Sequence, residues 1–373
     1  MKRTLISFAV LGTILGAATA QAGGWDRSGQ DTSIILKEGN LMEMTSVSVA
    51  PKITGNYVGA GATGDGTPNY SFSTVAFRVD VSDDISIAVI QDSPFGASVN
   101  WTGGSFNGIE AKIDSSATTA LVSYDLDNVT VYGGVKNQSF NASATNPLVG
   151  AYNAAGTALN GDGSGYSISS TKDSSLGYVV GAAFENPEIA LRVALTYHSK
   201  VNHDVSIVEK VSGVTSAAVN LSASTPESFN LDFQTGIAEN TLLFGTVRRV
   251  KWTQTALKPA QYTIYSGGKA LKEFAKDTTS YSLGLGRKFS DQWAGAVTYG
   301  TESAEGTAGS PLGPTDGYNK FGLGVTYTGE QVAITLGVQK ISMGDTTAVA
   351  GPYSATMSGN TATVTAVKIG YKF

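Results

Sequence analysis

The C-terminal stretch 363-TVTAVKIGYKF-373 alternates between two kinds of residue. On an extended strand, successive side chains point to opposite faces of the sheet. One face therefore carries Val367, Ile369, Tyr371 and Phe373, and the other carries basic or small residues. A strand with one apolar face occurs in soluble antiparallel sheets as well as in membrane barrels. This stretch alone leaves both classes open.

The other end of the chain indicates export. Residues 1–22, MKRTLISFAVLGTILGAATAQA, have a basic start, an apolar core and small residues in an A-x-A pattern, as in a secretory signal peptide. Cleavage after Ala22 starts the mature chain at Gly23, and cleavage after Ala20 also satisfies the pattern. The apolar run is too short to predict a membrane-spanning helix.

The composition narrows the class of protein further. The chain has no cysteine, so an exported form must be stabilised by burial and backbone pairing without disulfides. A formal net charge of −5 argues against nucleic acid as a partner. The 45 glycines and 16 tyrosines favour strands and turns over long helices. Because no later apolar run approaches the roughly 20 residues of a spanning helix, a membrane form must be a closed barrel.

Alternating runs recur along the chain after residue 40, each about as long as a tilted strand that crosses a bilayer. In one of them, Phe321, Leu323 and Val325 oppose Lys320 and Gly322. We predict fourteen strands, near 41–50, 70–82, 84–92, 108–125, 128–137, 175–184, 188–199, 226–237, 240–252, 279–289, 292–301, 317–328, 331–342 and 361–373.

The connections between these runs alternate strictly in length. Short turns join strands 2–3, 4–5, 6–7, 8–9, 10–11 and 12–13, at residues 82–84, 126–128, 185–187, 238–239, 290–291 and 328–330. Every other connection is long, and the longest runs from about Gln138 to Ser174. Short periplasmic turns and long extracellular loops are typical of an outer-membrane barrel, which localises the protein to the bacterial outer membrane. The expected partners are outer-membrane lipid and, through the C-terminal strand, the barrel-assembly machinery.

Several ordered stretches resemble the FadL/TodX family of outer-membrane channels for long-chain fatty acids and other hydrophobic compounds. They are 83-DDISIAVIQDSPFGASVNW-101, 177-GYVVGAAFENPEIALRVALTYHSKVNH-203, 225-TPESFNLDFQTGIAENTLLFGTVRRVKWTQ-254 and 277-DTTSYSLGLGRKFSDQWAGAVTYG-300. His198 takes the place of an arginine in the family pattern, and Trp252 matches a family tryptophan. The resemblance implies a plugged barrel that takes up hydrophobic small molecules.

The resemblance also implies a gate. A kink at Pro94, Phe95 and Gly96 would open the wall sideways once an N-terminal hatch moves, and the tip of that hatch here carries Trp25 and Arg27. The family hatch is longer and ends in Asn-Pro-Ala, whereas residues 37–40 here read Lys-Glu-Gly-Asn. The predicted fold class is all-β: a transmembrane antiparallel β-barrel of about 14 strands in residues 41–373, with a short N-terminal plug (hatch) segment in residues 23–40.

The longest loops carry apolar residues that predict a binding site for hydrophobic molecules. Leu148, Val149 and Tyr152 lie in one loop, and Val205 and Val208 lie in the next. The alternative is that these loops fold on each other as a small lid core.

Inward-facing cations could receive a fatty-acid carboxylate through a charge-assisted hydrogen bond. Arg192 is one candidate, and Arg249 and Lys251 are two more for which the alternation is ambiguous. Because Arg248 and Arg249 are adjacent, either a bulge occurs there or Arg248 snorkels. The alternative for each cation is pairing with an inward acid such as Asp80 or Asp232. Alternation places further cations on the lumen face, namely Arg78, Lys136, Lys320, Lys368 and Lys372.

Enzyme chemistry has little support in the sequence. His198 and His203 are the only histidines and fall on opposite faces of a regular strand, and the loop sequence 160-NGDGSGYS-167 lacks the carboxylates of a calcium loop. We therefore predict no catalytic residues, metal or cofactor. The predicted function is uptake of hydrophobic molecules, with long-chain fatty acids as the first candidate. The alternatives are a general diffusion porin and a surface adhesin or structural barrel.

Overall fold

A closed antiparallel barrel dominates the computed structural model, which describes residues 24–59, 61–149, 165–304, 306 and 309–373. The predicted signal peptide lies outside the described residues. The barrel strands are β1 (Leu41–Lys52), β2 (Tyr70–Asp80), β3 (Ile85–Asp92, resuming at Gly96–Asn100), β4 (Glu110–Leu126), β5 (Val129–Asn146), β6 (Asp173–Asn186), β7 (Leu191–His198), β8 (Ser228–Ala238), β9 (Thr241–Val250), β10 (Thr278–Lys288), β11 (Trp293–Glu302), β12 (Tyr318–Thr328), β13 (Val332–Met343) and β14 (Thr361–Lys372).

Strand β14 closes the barrel by pairing on both sides. Its register runs from Leu41↔Lys372 to Lys52↔Thr361 against β1, and it also pairs with β13. The predicted fourteen-strand count and the closing role of the C-terminal strand are therefore confirmed. Closure removes the two free edges that an open sheet would expose.

The outer face of the barrel is apolar. On β12, Phe321, Leu323 and Val325 are exposed, whereas Lys320 and Thr326 are buried on the opposite face. The same alternation places Leu336 of β13 and other large apolar residues outside. These exposed side chains form the belt that faces lipid in a membrane barrel.

The two ends of the barrel differ, and we name them by their connections. At the turn end, six short turns join the strands and both termini of the barrel meet; at the loop end, the long connections carry elements of their own. No helix among the described residues has the length and hydropathy to span a bilayer. The loop-end elements include the strands Gly55–Tyr57, Tyr166–Ser170, Val201–Val211, Val214–Thr215, Val219–Thr225, Ala256–Leu257, Lys272–Glu273, Thr346–Ala350 and Tyr353–Met357, the helix α1 (Ala260–Tyr265), and the 3-10 turns Gly104–Phe106 and Trp252–Gln254.

The loops do fold on each other, as the alternative for the apolar loops supposed. Strands Tyr166–Ser170 and Val201–Val211 extend the sheet of β5 above the barrel, and helix α1 packs against them. The Glu209 carboxylate accepts hydrogen bonds from the Tyr166 hydroxyl (3.0 Å) and from the Tyr262 backbone N–H (3.0 Å). This buried carboxylate fastens the helix to the extended sheet.

Residues 24–40, called the N-terminal segment below, lie in the lumen. The 3-10 turn Ser33–Leu36 buries Ile34, Ile35 and Leu36 in a cluster with inward residues of β2, β3, β4 and β7. Asp31 accepts a hydrogen bond from the Ser33 backbone N–H (2.8 Å) and so satisfies the start of the turn. Three consecutive apolar side chains thus fix the segment against one side of the lumen.

Closure of the sheet predicts resistance to detergent. We expect the protein to migrate as a compact, fast band in sodium dodecyl sulfate without boiling and as a slower band after boiling, because no free edge is available for unzipping. A Gly134→Val variant serves as the control, since a side chain at Gly134 would overlap the Ala120 carbonyl oxygen of β4. It should give only the slow band. Equal mobility of the wild type before and after boiling would contradict a closed barrel.

Candidate functional site

Strand β3 is interrupted beside the lumen. Its first part pairs with β4 up to Asp92↔Ala117, and pairing resumes at Gly96↔Asp114. Between these two pairs β3 advances by four residues and β4 by only three. The extra residue on β3 makes this a β-bulge. Pro94 lies within this bulge and has no backbone N–H to give to a ladder.

A serine of β4 replaces the missing ladder bonds. The Ser115 hydroxyl oxygen accepts from the Phe95 backbone N–H (2.9 Å), and the Ser115 backbone N–H donates to the Phe95 carbonyl (3.2 Å). The bulge is therefore anchored on its β4 side. On the side toward β2, no described strand supplies hydrogen bonds to the bulge.

A gap in the wall follows from the bulge. The ladder between β2 and β3 ends at Val75↔Gln91. In the described part of the chain, residues 70–74 of β2 have no ladder partner on the β3 side. We call the space between residues 70–74 and 92–96 the wall gap.

The N-terminal segment fills the wall gap. The Arg27 backbone N–H donates to the Pro94 carbonyl (2.9 Å), and the Gly96 N–H donates to the Trp25 carbonyl (2.7 Å). The Arg27 guanidinium lies 4.7 Å from the centre of the Tyr70 ring, a cation–π contact across the gap. A side chain at position 96 would displace this guanidinium, because a Cβ there would lie 2.4 Å from its central carbon.

These contacts bring the five predicted gate residues together. Phe95 completes the set through its bridge to Asp26 of the segment. Their role as a gate stays a prediction. The residues concerned are Trp25, Arg27, Pro94, Phe95 and Gly96.

Arg248 of β9 holds the N-terminal segment from the opposite wall. Its Nε donates to a carboxylate oxygen of Asp26 (2.6 Å), and Nη2 donates to Gln30 Oε1 (3.1 Å). Its Nη1 also donates to Asn230 (2.6 Å) and Ser228 (3.1 Å) of β8. Arg248 thus bonds to the segment and to the wall at once.

Two more inward arginines bind the far end of the segment. Arg78 donates to the carbonyls of Gly39 (2.7 Å) and Ile35 (3.3 Å), and Arg192 donates to the carbonyl of Leu36 (2.8 Å). These guanidinium groups satisfy segment carbonyls that have no strand partner there. Arg192 was predicted to bind a cargo carboxylate. In the structure it pairs with Glu185 of β6 instead.

The orientation of the paired arginines differs from the expected one. Strand β9 alternates regularly against β10, so Arg248 faces the lumen and Arg249 faces outward, with neither a bulge nor snorkelling of Arg248. Arg249 pairs with Asp277 (3.4 Å) on the outer side. Lys251 follows the strand and lies over the outward-facing Phe229 ring, 6.0 Å from its centre. Neither cation reaches the lumen.

An aromatic cluster joins the segment, the wall gap and the loops. Trp25 makes edge contacts with Trp252 (6.4 Å between ring centres) and Phe274 (5.3 Å), and Phe95 contacts Trp252 (5.7 Å). Gly24 lies against the Trp252 ring, with no room for a side chain. The cluster therefore forms a floor beneath the loop end.

An apolar cavity lies above this floor, and we call it the inner cavity. It has a volume of about 40 Å³. Val205 lines it and is buried, whereas Val208 lies on the other face of the same strand and is exposed. The remaining lining is almost entirely apolar and includes Trp25, Val99, Ile113, Phe140, Ile168, Ile207, Leu221, Leu257, Leu271 and Leu312.

A wider groove opens above the inner cavity toward the loop end, and we call it the vestibule. Its volume is about 830 Å³, and Leu148, Val149 and Lys269 are among its lining residues. Tyr152, the third apolar candidate of that loop, lies outside the described residues. Trp25, Leu271 and Leu312 line both spaces, so the vestibule leads to the inner cavity.

The sequence did not single out Arg248 or Phe274 as site residues. The even-numbered residues of β9 face inward, and they include Leu242, Phe244 and Arg248. Leu243 and Val247 are also apolar and face outward, so β9 offers no contrast between its faces. A lumen filled by a chain segment needs apolar inward residues. The alternation of apolar and polar residues that would show which face of the strand points inward is therefore lost.

Together these features define a class. A closed fourteen-stranded barrel with a lipid-facing belt, an interrupted strand and a chain segment in the lumen has the architecture of an outer-membrane β-barrel.

Solved structures share this fold over nearly the whole chain. A FadL homologue of Pseudomonas aeruginosa is 14% identical with a TM-score of 0.73, over 97% of this chain and 98% of that chain. The toluene transporters TbuX of Ralstonia pickettii (13% identical) and TodX of Pseudomonas putida (14%) both have TM-scores of 0.63 and the same coverage. No protein-family model and no curated protein sequence matches the chain. The chain thus has a FadL/TodX-type fold, as its sequence predicted.

The two adjacent arginines provide a matched test of how the segment is held. We expect Arg248→Met to loosen the segment and raise the ion conductance of single channels, since removing one partner of a buried ion pair costs about 3–5 kcal/mol. Arg249→Met, on the outer face, should conduct like the wild type. If both variants conducted alike, Arg248 would not be the anchor of the segment.

Proposed function

We propose that this protein is an outer-membrane channel that takes up hydrophobic small molecules. Cargo enters the vestibule from outside the cell and moves down into the inner cavity, where apolar side chains replace water. The cavity must widen to admit it, because its volume of about 40 Å³ is well below the roughly 150 Å³ of a cavity that binds benzene. The observation that carries the proposal is the position of Trp25. Its ring is part of the cavity floor, and its carbonyl accepts the Gly96 N–H at the wall gap. One segment therefore separates captured cargo from the gap.

The similar structures support the class of cargo. Two are named as toluene transporters and one as a FadL homologue. Their low identity limits this support to a shared fold, so the lining of the inner cavity has to carry the chemistry. Apolar lining from the sheet extension, the loops and Trp25 favours hydrophobic solutes over ions or sugars.

Within this class, the cavity favours neutral cargo over the long-chain fatty acids expected from the sequence. That expectation rested on the family resemblance and on inward cations, but Arg78, Arg192 and Arg248 bind the N-terminal segment. A carboxylate in the inner cavity would be desolvated without a matching cation beside it, apart from Lys272 at the rim. Fatty acids remain the second candidate, because their carboxylate could stay in the vestibule near Lys269.

The route out of the inner cavity is proposed to be the wall gap. Below the segment, the lumen is lined by charged side chains that include Asp31, Asp232 and Lys320. An apolar solute gains nothing by entering such a space, whereas the gap leads toward the lipid that surrounds the barrel. Movement of Trp25 and Arg27 would open this route.

A neighbouring pair of valines tests the inner cavity. We expect Val205→Asn to weaken toluene binding about tenfold or more, because it places an amide in the apolar lining. Val208→Asn, on the exposed face of the same strand, should bind like the wild type. Equilibrium dialysis of the detergent-solubilised protein, with toluene and with oleate, measures both variants. Equal losses in the two variants would exclude the inner cavity as the binding site.

The alternatives to uptake are separated by conductance and transport. A general diffusion porin conducts ions steadily in a planar bilayer, whereas a channel closed by its own segment should be nearly silent. An adhesin or structural barrel should be silent and should also fail to move toluene into proteoliposomes. We expect low conductance together with toluene uptake.

A disulfide tether tests movement of the segment. The Ser28 hydroxyl, next to Arg27, donates to the Asp92 carboxylate of β3 at the wall gap, so cysteines at these positions can be bridged with little rearrangement. We expect the oxidised Ser28→Cys, Asp92→Cys protein to bind toluene but not to deliver it, and dithiothreitol to restore delivery. The single Ser28→Cys variant is the control. An unchanged uptake rate with the tether fully closed would disprove the moving segment.

A further inference from the structure

The passage from the vestibule to the inner cavity, called the throat below, contains one charged side chain. The residues that line both spaces are Trp25, Ala97, Leu271, Lys272 and Leu312. Four of them are apolar. Lys272 is also the one charged residue among the described residues that line the inner cavity. Its side chain therefore lies where cargo on the proposed route has to pass.

An aromatic ring holds the ammonium group of this lysine. Lys272 Nζ lies over the Phe274 ring, 4.4 Å from its centre, in a cation–π contact. Phe274 is buried and packs on Trp252, with 4.8 Å between ring centres, and on Trp25. Nζ also lies close to Gly313, where an added Cβ would be only 2.9 Å from it. The ammonium group thus contacts the aromatic floor and the loop that carries Gly313.

This cluster of rings has the chemistry of a site for organic cations. The faces of tryptophan and phenylalanine rings attract ammonium groups, and groups of such rings recognise quaternary ammonium ligands. Trp25 and Phe274 both line the vestibule, whose volume of about 830 Å³ has room for a ligand of this kind. In this protein, however, the Phe274 ring already binds a cation from its own chain.

The remaining charges of the vestibule present no barrier to cations. Among the described residues of its lining, Lys269 and Lys272 are positive, and Glu273 and Asp316 are negative. The two signs are therefore balanced in the vestibule as a whole. Selection against cations then depends on Lys272, because its charge lies directly on the aromatic floor.

We propose that Lys272 is the selectivity residue of the throat: its ammonium group occupies the aromatic floor and excludes organic cations, whereas neutral hydrophobic cargo passes. A second cation would meet a like charge at close range and would find the Phe274 ring already in use. A neutral solute meets neither obstacle and can pack against the apolar stem of the lysine. This inference rests on the proposed uptake function and concerns the entrance of the same cavity.

Two ligands of the same shape test the proposal: benzyltrimethylammonium and its neutral analogue neopentylbenzene. Equilibrium dialysis of the detergent-solubilised protein gives their dissociation constants, and toluene is measured beside them. Lys272→Met removes the charge and keeps an unbranched side chain, whereas Lys272→Arg keeps a cation for the ring. Lys258→Met is the control, since Lys258 pairs with Glu273 (3.1 Å) beside Lys272 but lines neither space. Detergent resistance on gels verifies that each variant is folded.

We expect the wild type to bind neopentylbenzene at least tenfold more tightly than benzyltrimethylammonium. Lys272→Met should tighten binding of the cation about tenfold, or about 1.4 kcal/mol, which is within the strength of a desolvated cation–π contact. Lys272→Arg and Lys258→Met should keep the wild-type ratio of the two affinities.

Three results would overturn the role of Lys272. They are equal affinity of the wild type for the two ligands, an unchanged ratio in Lys272→Met, and an equal change of the ratio in Lys258→Met. The proposed function has a separate outcome. If the wild type bound neither toluene nor neopentylbenzene, the uptake function itself would be refuted, whatever the cation did.

Discussion

A backbone constraint at one strand governs the rest of this molecule. Within a barrel wall, every backbone N–H and carbonyl needs a partner, because lipid offers none. Pro94 breaks this rule in β3, and Ser115 repairs only the side toward β4. The other side is repaired by the N-terminal segment, through the bonds Arg27 N–H to Pro94 and Gly96 N–H to Trp25. The segment is therefore part of the wall as well as an occupant of the lumen.

This double role explains where the lumen charges go. A short segment with one 3-10 turn leaves many carbonyls unpaired, and guanidinium groups with several donors in a fixed fork can satisfy them. Arg78 and Arg192 do this from two different strands, and Arg248 on a third strand binds the Asp26 carboxylate and the Gln30 side chain. Because the cations hold the segment, the cavity above it is left with apolar lining and a floor of aromatic rings. The apolar cavity and the charged anchors of the segment are thus separated along the barrel axis.

The sequence predicted the barrel far better than the site. All fourteen strands were foreseen, because lipid on one face imposes a strict alternation and closure fixes the length pattern of the connections. Alternation also separates Val205 from Val208, yet both were chosen, since a loop strand was not foreseen there. Arg248 was missed for a related reason. Its position is set by contacts with the N-terminal segment inside the lumen, and such contacts do not repeat at a fixed spacing along the strand. The contacts of the segment depend on residues some 200 positions apart, and a single sequence does not encode that distance as a pattern.

The spacing of Trp25 and Arg27 links the cavity floor to the wall gap. In extended backbone, residues two apart point to the same side and are about 7 Å apart, so one cannot move far without the other. Trp25 lines the inner cavity, and Arg27 fills the gap over Tyr70. Under the proposed function, cargo that shifts the Trp25 backbone would break the Gly96 N–H bond to its carbonyl and draw the guanidinium from Tyr70. Coupling between the inner cavity and the wall gap would then need no distant pathway, because a single stretch of three residues contacts both.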